Sequence, residues 1–201
     1  MTYPTVYLVA EDIPGLAVGR KLIAEAKPLT VYREENARGQ GRLKKNVESY
    51  QNMGRCGLPV LMLTDLDSFE CAPAFKKTWL KHDTSTDFLF RICVREVEAW
   101  LLGHCSAMAE LLRIPMSQIS SNPEQLADPK SELVRLAQSS PAKIRKAMTP
   151  VGTSSIGPGY NDLLETFIRE SWMPEVAAES CPSLEKARRR IAELAGRFSH
   201  A

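Results

Sequence analysis

Leu58-Pro59-Val60-Leu61-Met62-Leu63-Thr64-Asp65-Leu66-Asp67 is the stretch on which the fold turns. A continuous apolar run is closed by Gly57 on one side and by carboxylates on the other. Strands of parallel sheets are buried on both faces and read as such runs, so residues 58–64 are predicted to form a buried strand.

Outward from this strand, short apolar or β-branched runs alternate with amphipathic stretches, the mark of βαβ units. Residues 5–10 read as a first strand. Residues 11–15 turn the chain, and Pro14-Gly15 marks the start of a helix with Leu16, Leu22 and Ile23 as its apolar positions. Residues 29–33 read as a second strand. The polar stretch 34–41, with Gly39 and Gly41, reads as a loop, and Leu43, Val47 and Tyr50 then keep helical spacing to about Met53. A helix over 72–80 and a strand over 88–94 complete a small doubly wound sheet. Residues 95–112 read as one or two helices with Val97, Trp100, Leu101, Met108 and Leu112 on the buried side.

Beyond Pro115 helical pieces are broken by Pro123, Pro129, Pro141 and Pro150, with a glycine-rich loop over 152–159. A last helix carries Leu184, Ala187, Ile191, Leu194 and Phe198. The expected organisation is an α/β domain over 1–115 and a helical extension of the same compact unit over 116–201.

Composition limits the function classes. With 201 residues, 44% hydrophobic and 25% charged, the chain is of ordinary globular type. It shows neither an apolar run of the ~18–20 residues a membrane span needs nor a basic-then-apolar leader, so a cytoplasmic protein without a membrane partner is expected. Cys56, Cys71, Cys93, Cys105 and Cys181 form no CxxC pair and read as reduced thiols. His82, His104 and His200 lack ligand spacing, which argues against structural zinc. The net charge is only +2, yet basic residues cluster: Arg38, Arg42, Lys44 and Lys45 in one segment, and Lys130, Arg135, Lys143, Arg145 and Lys146 in another. Either segment suits phosphates, and either is also what a solvated helix face looks like.

In open parallel sheets ligands collect beyond the carboxyl ends of the strands, and two such ends here carry acids: Glu11, and Asp65 with Asp67. Alternate positions at a strand end put Asp65 and Asp67 on one side, where both could reach a hard cation with Glu11 as a third ligand. Converging carboxylates repel one another unless a divalent ion such as Mg2+ or Mn2+ neutralises them. The competing reading is that Asp65 and Asp67 cap the following helix.

Val9-Ala10-Glu11 ahead of a helix, followed by Leu63-Thr64-Asp65-Leu66-Asp67, resembles the Toprim pattern of topoisomerases, primases and the overcoming-lysogenisation-defect (OLD) nucleases. Residues 39–46, the run Val94-Arg95-Glu96-Val97-Glu98-Ala99-Trp100-Leu101-Leu102 and Asp128-Pro129-Lys130 resemble a family of small stand-alone bacterial Toprim proteins of unassigned function. The likeness extends to about Lys146. It implies a parallel sheet flanked by helices and metal-dependent cleavage of DNA or RNA, with Glu11 as acid-base or metal group and Asp65 and Asp67 as metal ligands. It also implies a phage-defence pairing with an ABC-type ATPase, and a homo-oligomer is compatible with it. In OLD-type relatives the glutamate is followed by glycine and, four residues on, by a second acid; here Asp12 and Gly15 hold those places. Asp12 or Glu96 would have to replace the missing carboxylate. A catalytically degenerate binding or regulatory module is the alternative.

Residues two apart on a helix point about 200° apart, so Glu96 and Glu98 are not expected to face one ion. Glu96, nearer the strand end, is the candidate metal ligand, while Glu98 lies one turn from Arg95 and is expected to pair with it. Lys130, just ahead of a helix where the dipole disfavours a cation, is the candidate catalytic lysine, in the position the resemblance gives to a transition-state lysine. Trp100, with apolar helical neighbours, is expected in the core.

Overall fold

Each strand in the first half is followed by helix, and right-handed crossovers then fix where the next strand goes. The computed structural model describes residues 4–80 and 83–198; His82 and His200 lie outside them. The strands β1 (Thr5–Ala10), β2 (Thr30–Asn36), β3 (Val60–Asp65) and β4 (Phe88–Cys93) form an all-parallel four-stranded sheet of order β2-β1-β3-β4. This is the expected α/β class.

Alternation along the central strands sorts side chains into two cores. Leu8, Ala10, Leu61 and Leu63 face α1 (Ile13–Glu25), while Tyr7, Val9, Val60 and Met62 face α2 (Gln40–Lys45), α3 (Val47–Arg55) and α4 (Ala72–Trp79). The remaining helices are α5 (Val97–Leu102), α6 (Cys105–Leu112), α7 (Pro129–Ala137), α8 (Ala142–Met148), α9 (Tyr160–Glu170), α10 (Pro174–Ala178) and α11 (Pro182–Gly196). They join the α1 side, where one continuous core runs from Leu8 through Trp100, Leu133, Met148, Tyr160 and Trp172 to Ile191. Trp100 is fully buried, and its indole N–H donates to Ser183 Oγ at 2.7 Å. No described helix is long and apolar enough to cross a membrane. All five cysteines are free.

The structure departs from the sequence reading where polar residues have distant partners. β2 continues to Asn36, through what reads as loop, because Arg20 binds Glu34 at 2.8 Å and the hydroxyls of Tyr7 and Tyr50 donate to Glu35 at 2.6 and 2.9 Å. An edge strand can be polar on its outer side and loses the apolar signature. The helix expected through Leu43 to Met53 is two helices, divided at Asn46. Residues 95–112 do hold two helices, α5 and α6, divided at Gly103 and His104, within the one or two expected.

Candidate metal centre

The chain leaves β1 toward β2 and leaves β3 toward β4, so the carboxyl ends of β1 and β3 form the switch point at which open α/β sheets bind ligands. Ala10 is in register with Leu63, which sets Glu11 beside Thr64, whose hydroxyl donates to Glu11 Oε2 at 3.1 Å. Asp65 ends β3 opposite Cys93, nearly buried, and its Oδ1 accepts the Val97 N–H at 2.9 Å. Asp12 is committed to capping α1, where Oδ1 accepts the Gly15 N–H at 2.8 Å. A Cβ on Gly15 would stand 3.1 Å from both Ala10 Cβ and Asp12 Oδ1, so the start of α1 is packed too closely to carry the second acid of the OLD-type pattern without a shift.

The segment after β4 corrects the expectation for Glu96 and Glu98. Glu96 is extended (φ −137°, ψ 162°), the N-cap of α5 and not part of its spiral, so the 200° argument does not hold between them. Both reach Lys130: Nζ lies 3.9 Å from Glu96 Oε1 and 3.6 Å from Glu98 Oε1, and Glu96 Oε2 accepts the Lys130 N–H at 2.8 Å. Glu98 does not pair with Arg95, whose guanidinium donates to the Asp67 and Phe69 carbonyls at 3.2 and 2.6 Å. Instead Glu98 is fully buried, Oε1 accepts the Tyr160 hydroxyl at 2.8 Å, and Oε2 has no hydrogen-bond partner. Sequence reasoning sets Glu98 aside. The available signal is a lone acid amid Val97, Ala99, Trp100, Leu101 and Leu102, because carboxylates almost never enter such surroundings unpaired.

Asp67 lies beyond the strand, in a left-handed conformation (φ 53°), so strand alternation does not relate it to Asp65. Its Oδ2 accepts the side-chain amide of Gln40 at 2.8 Å, and the same amide reaches the Asp65 carbonyl at 3.3 Å. The first residue of α2 is thereby fastened to the acidic edge. Of the basic residues expected at phosphates, Arg42 and Lys45 line a shallow cleft of about 360 Å3 with Glu35 and Asn36, Arg38 is exposed on the preceding turn, and Lys44 stands 5.7 Å from the centre of the Trp79 ring.

Burial raises the Glu11 carboxyl above its ordinary range, the Thr64 hydroxyl offsets part of that, and the charges of Asp67 and Asp12 raise it again. Asp65 is raised well above the carboxylate range by burial, then by Glu98, Asp12 and Glu11, with Lys130 opposing. Burial lifts Glu98 to about 7 against the pull of Lys130. Glu96 is raised by burial as well, against the Lys130 N–H and charge. Burial works against the Lys130 ammonium, but Glu98, Glu96, Asp65 and Asp12 outweigh it and hold the lysine charged. These are the marks of carboxylates crowded together with little solvent around them.

Among the described residues no three His, Cys, Asp or Glu side chains stand as a ready-made metal cage. Thr64, Val97, Gln40, Lys130 and Tyr160 each hold one acid by a hydrogen bond. The donor set still suits a hard divalent cation: it is all oxygen, it is over-acidic, and Glu98 Oε2 is a buried acceptor without a donor. Glu11, Asp65, Asp67 and Glu96 are the acids that the sequence assigns to Mg2+ or Mn2+, and the structure sets Glu98 beside Glu96 at Lys130. In comparisons with known proteins, no family model matches the chain, and neither a curated protein nor a solved structure does.

Proposed function

We propose that the chain is a Mg2+- or Mn2+-dependent nuclease of the Toprim, OLD-like type. The observation that carries this reading is that two buried acids, Asp65 at the end of β3 with its Oδ1 on the Val97 N–H and Glu98 one residue further along with Lys130 Nζ 3.6 Å from its Oε1, stand by the carboxyl edge of the sheet. When bound, the ion supplies Lewis acidity beside a phosphoryl oxygen. The remaining work falls to side chains. Glu11, raised and held by Thr64, is placed to accept or return a proton. Lys130 offers a permanent positive charge to a phosphate. Arg38, Arg42, Lys44 and Lys45, on the turn and helix that Gln40 fastens to Asp67, meet the backbone of DNA or RNA. An ABC-type ATPase partner in phage defence belongs to this proposal through the sequence resemblance.

The second reading, a degenerate regulatory module, is favoured by Gly15, which stands where the OLD-type pattern has its second acid and where a Cβ would need its neighbours to shift. The deciding experiment is cleavage of single- and double-stranded DNA and RNA in Mn2+, with ATPase partner and ATP supplied, by the wild type and by Asp65→Asn. Metal-dependent cleavage abolished in the variant supports the nuclease. Wild-type inactivity on all four substrates supports the module.

A further inference from the structure

A cleft at the carboxyl end of β2 brings together charges of both signs that the molecule itself does not pair. Glu35, Asn36, Ala37, Arg42, Lys45 and Asn46 line it, and its volume is about 360 Å3. It lies beyond a strand end, where open α/β sheets collect ligands. Ala37 is the one apolar residue of the lining, so the cleft suits a small polar ligand and offers nothing to a long hydrocarbon chain.

The acid of this lining is held in a fixed position. Tyr7 Oη donates to Glu35 Oε2 at 2.6 Å and Tyr50 Oη donates to Glu35 Oε1 at 2.9 Å, and both tyrosines are buried. Burial first, then the hydrogen bond to Glu35, pushes the Tyr7 hydroxyl up to about 12, and the same causes raise that of Tyr50. Both hydroxyls therefore stay donors near neutral pH. Each Glu35 oxygen keeps lone-pair capacity for a further donor.

The cations of the lining are left open. Arg42 and Lys45 stand three apart on α2 and so share a face of that helix. Among the described residues neither has a carboxylate within ion-pair distance, although Glu35 lines the same cleft. The neighbouring acid, Glu34, does close on its cation, with Arg20 at 2.8 Å. Asn36 adds an amide whose Oδ1 is taken by the Arg38 N–H at 2.8 Å.

We infer that this cleft binds a small zwitterion, an α-amino acid with a short polar side chain, its ammonium on Glu35 and its carboxylate on Arg42 and Lys45. A simple anion would lie beside Glu35 as a like charge, and a simple cation would meet the like charges of Arg42 and Lys45. A molecule carrying both charges answers all of these groups with charge-assisted hydrogen bonds. The inference does not rest on the reading of the acidic edge. Arg42 and Lys45 also belong to the nucleic-acid surface proposed above, so amino acid and nucleic acid would compete for them.

The test is ligand-detected NMR titration of the full chain, in chelator at neutral pH, with L-serine, L-asparagine and L-leucine as probes. N-acetyl-L-serine, which lacks the ammonium, and L-serinamide, which lacks the carboxylate, are titrated beside them. Serine or asparagine is expected to bind saturably, and the corresponding blocked serines at least ~10-fold more weakly. Arg42→Ala/Lys45→Ala alters exposed side chains only and should weaken binding by a similar factor. Glu35→Gln should do the same at an unchanged melting temperature, and if that variant fails to fold, N-acetyl-L-serine still tests the acid. No saturable binding of serine or asparagine would overturn the inference, as would wild-type affinity in Arg42→Ala/Lys45→Ala. N-acetyl-L-serine, acetate or inorganic phosphate binding as tightly as serine would reduce the cleft to a plain anion site and overturn it too. Leucine binding more tightly than either polar amino acid would refute the assignment of a polar side chain.

Discussion

Lys130 Nζ stands 3.6 Å from Oε1 of Glu98, an acid with no solvent exposure, and joins the first turn of α7 to the first turn of α5. Lys130→Met removes the charge that balances this acid, and breaking a buried pair from one side costs about 3 kcal/mol. The loss should appear in urea unfolding of chelated protein near neutral pH. Adding Glu98→Gln to Lys130→Met should restore most of it, since the orphaned charge is then gone. A single variant as stable as the wild type would show that the pair carries no weight.

Crowded carboxylates predict the response to metal. Mg2+ or Mn2+ should raise the wild-type melting temperature, with ~2.7 kcal/mol gained at a hundredfold excess over the dissociation constant. Asp65→Asn keeps an acceptor for the Val97 N–H and removes one of the repelling charges, so the chelated variant should melt no lower than the wild type. It should show no metal-induced rise. An undiminished rise in the variant would take Asp65 out of the centre.

Glu11→Gln leaves an oxygen to accept from Thr64 and removes the proton-accepting carboxylate. Cleavage in Mn2+ should fall by at least ~100-fold, within the range typical of general acid-base groups, while the far-ultraviolet spectrum stays unchanged. Activity within a few-fold of the wild type would assign proton transfer to another group.

His104 gives a pH dependence independent of the metal site. It is buried, and its Nδ1 accepts the Met173 N–H at 3.1 Å, a bond that requires that nitrogen to be unprotonated. Burial lowers its pKa below the ordinary 6.5, with Glu175 opposing. The unfolded chain therefore takes up the proton first, and the contribution of His104 is full above 6.5 and lost as pH falls through the lowered value. The raised acids of the cleft have the opposite sign, so the difference from His104→Asn is the quantity to read. Between pH ~7.5 and ~5 the wild type should lose stability relative to that variant, and parallel urea midpoints would refute the assignment.

What can be read from sequence follows burial. β1, β3 and β4 announce themselves because Val9, Met62 and Phe90 lie in continuous apolar runs, and the strand-end rule then singles out Glu11 and Asp65. The end of β2 is hidden because Glu35 is anchored by Tyr50 on α3, a contact no local pattern encodes. Glu98 escapes for two reasons: helical spacing places Glu96 inside the helix that it only caps, and the hydroxyl that holds Glu98 belongs to Tyr160, distant along the chain.

That long separation sets a timetable. Chains emerge from the ribosome amino-terminus first, at ~5–20 residues per second, so all four strands and α5 are synthesised seconds before Tyr160 appears. Until Lys130 follows, Glu98 lacks its ammonium partner, and until Tyr160 follows it lacks its hydroxyl partner, so the segment around it cannot enter the interior as a charged group without cost. The acidic edge thus cannot be completed before Tyr160 is made. A polypeptide released before Tyr160 would carry every acid of the centre, and Lys130 as well, and still lack the hydroxyl that holds Glu98.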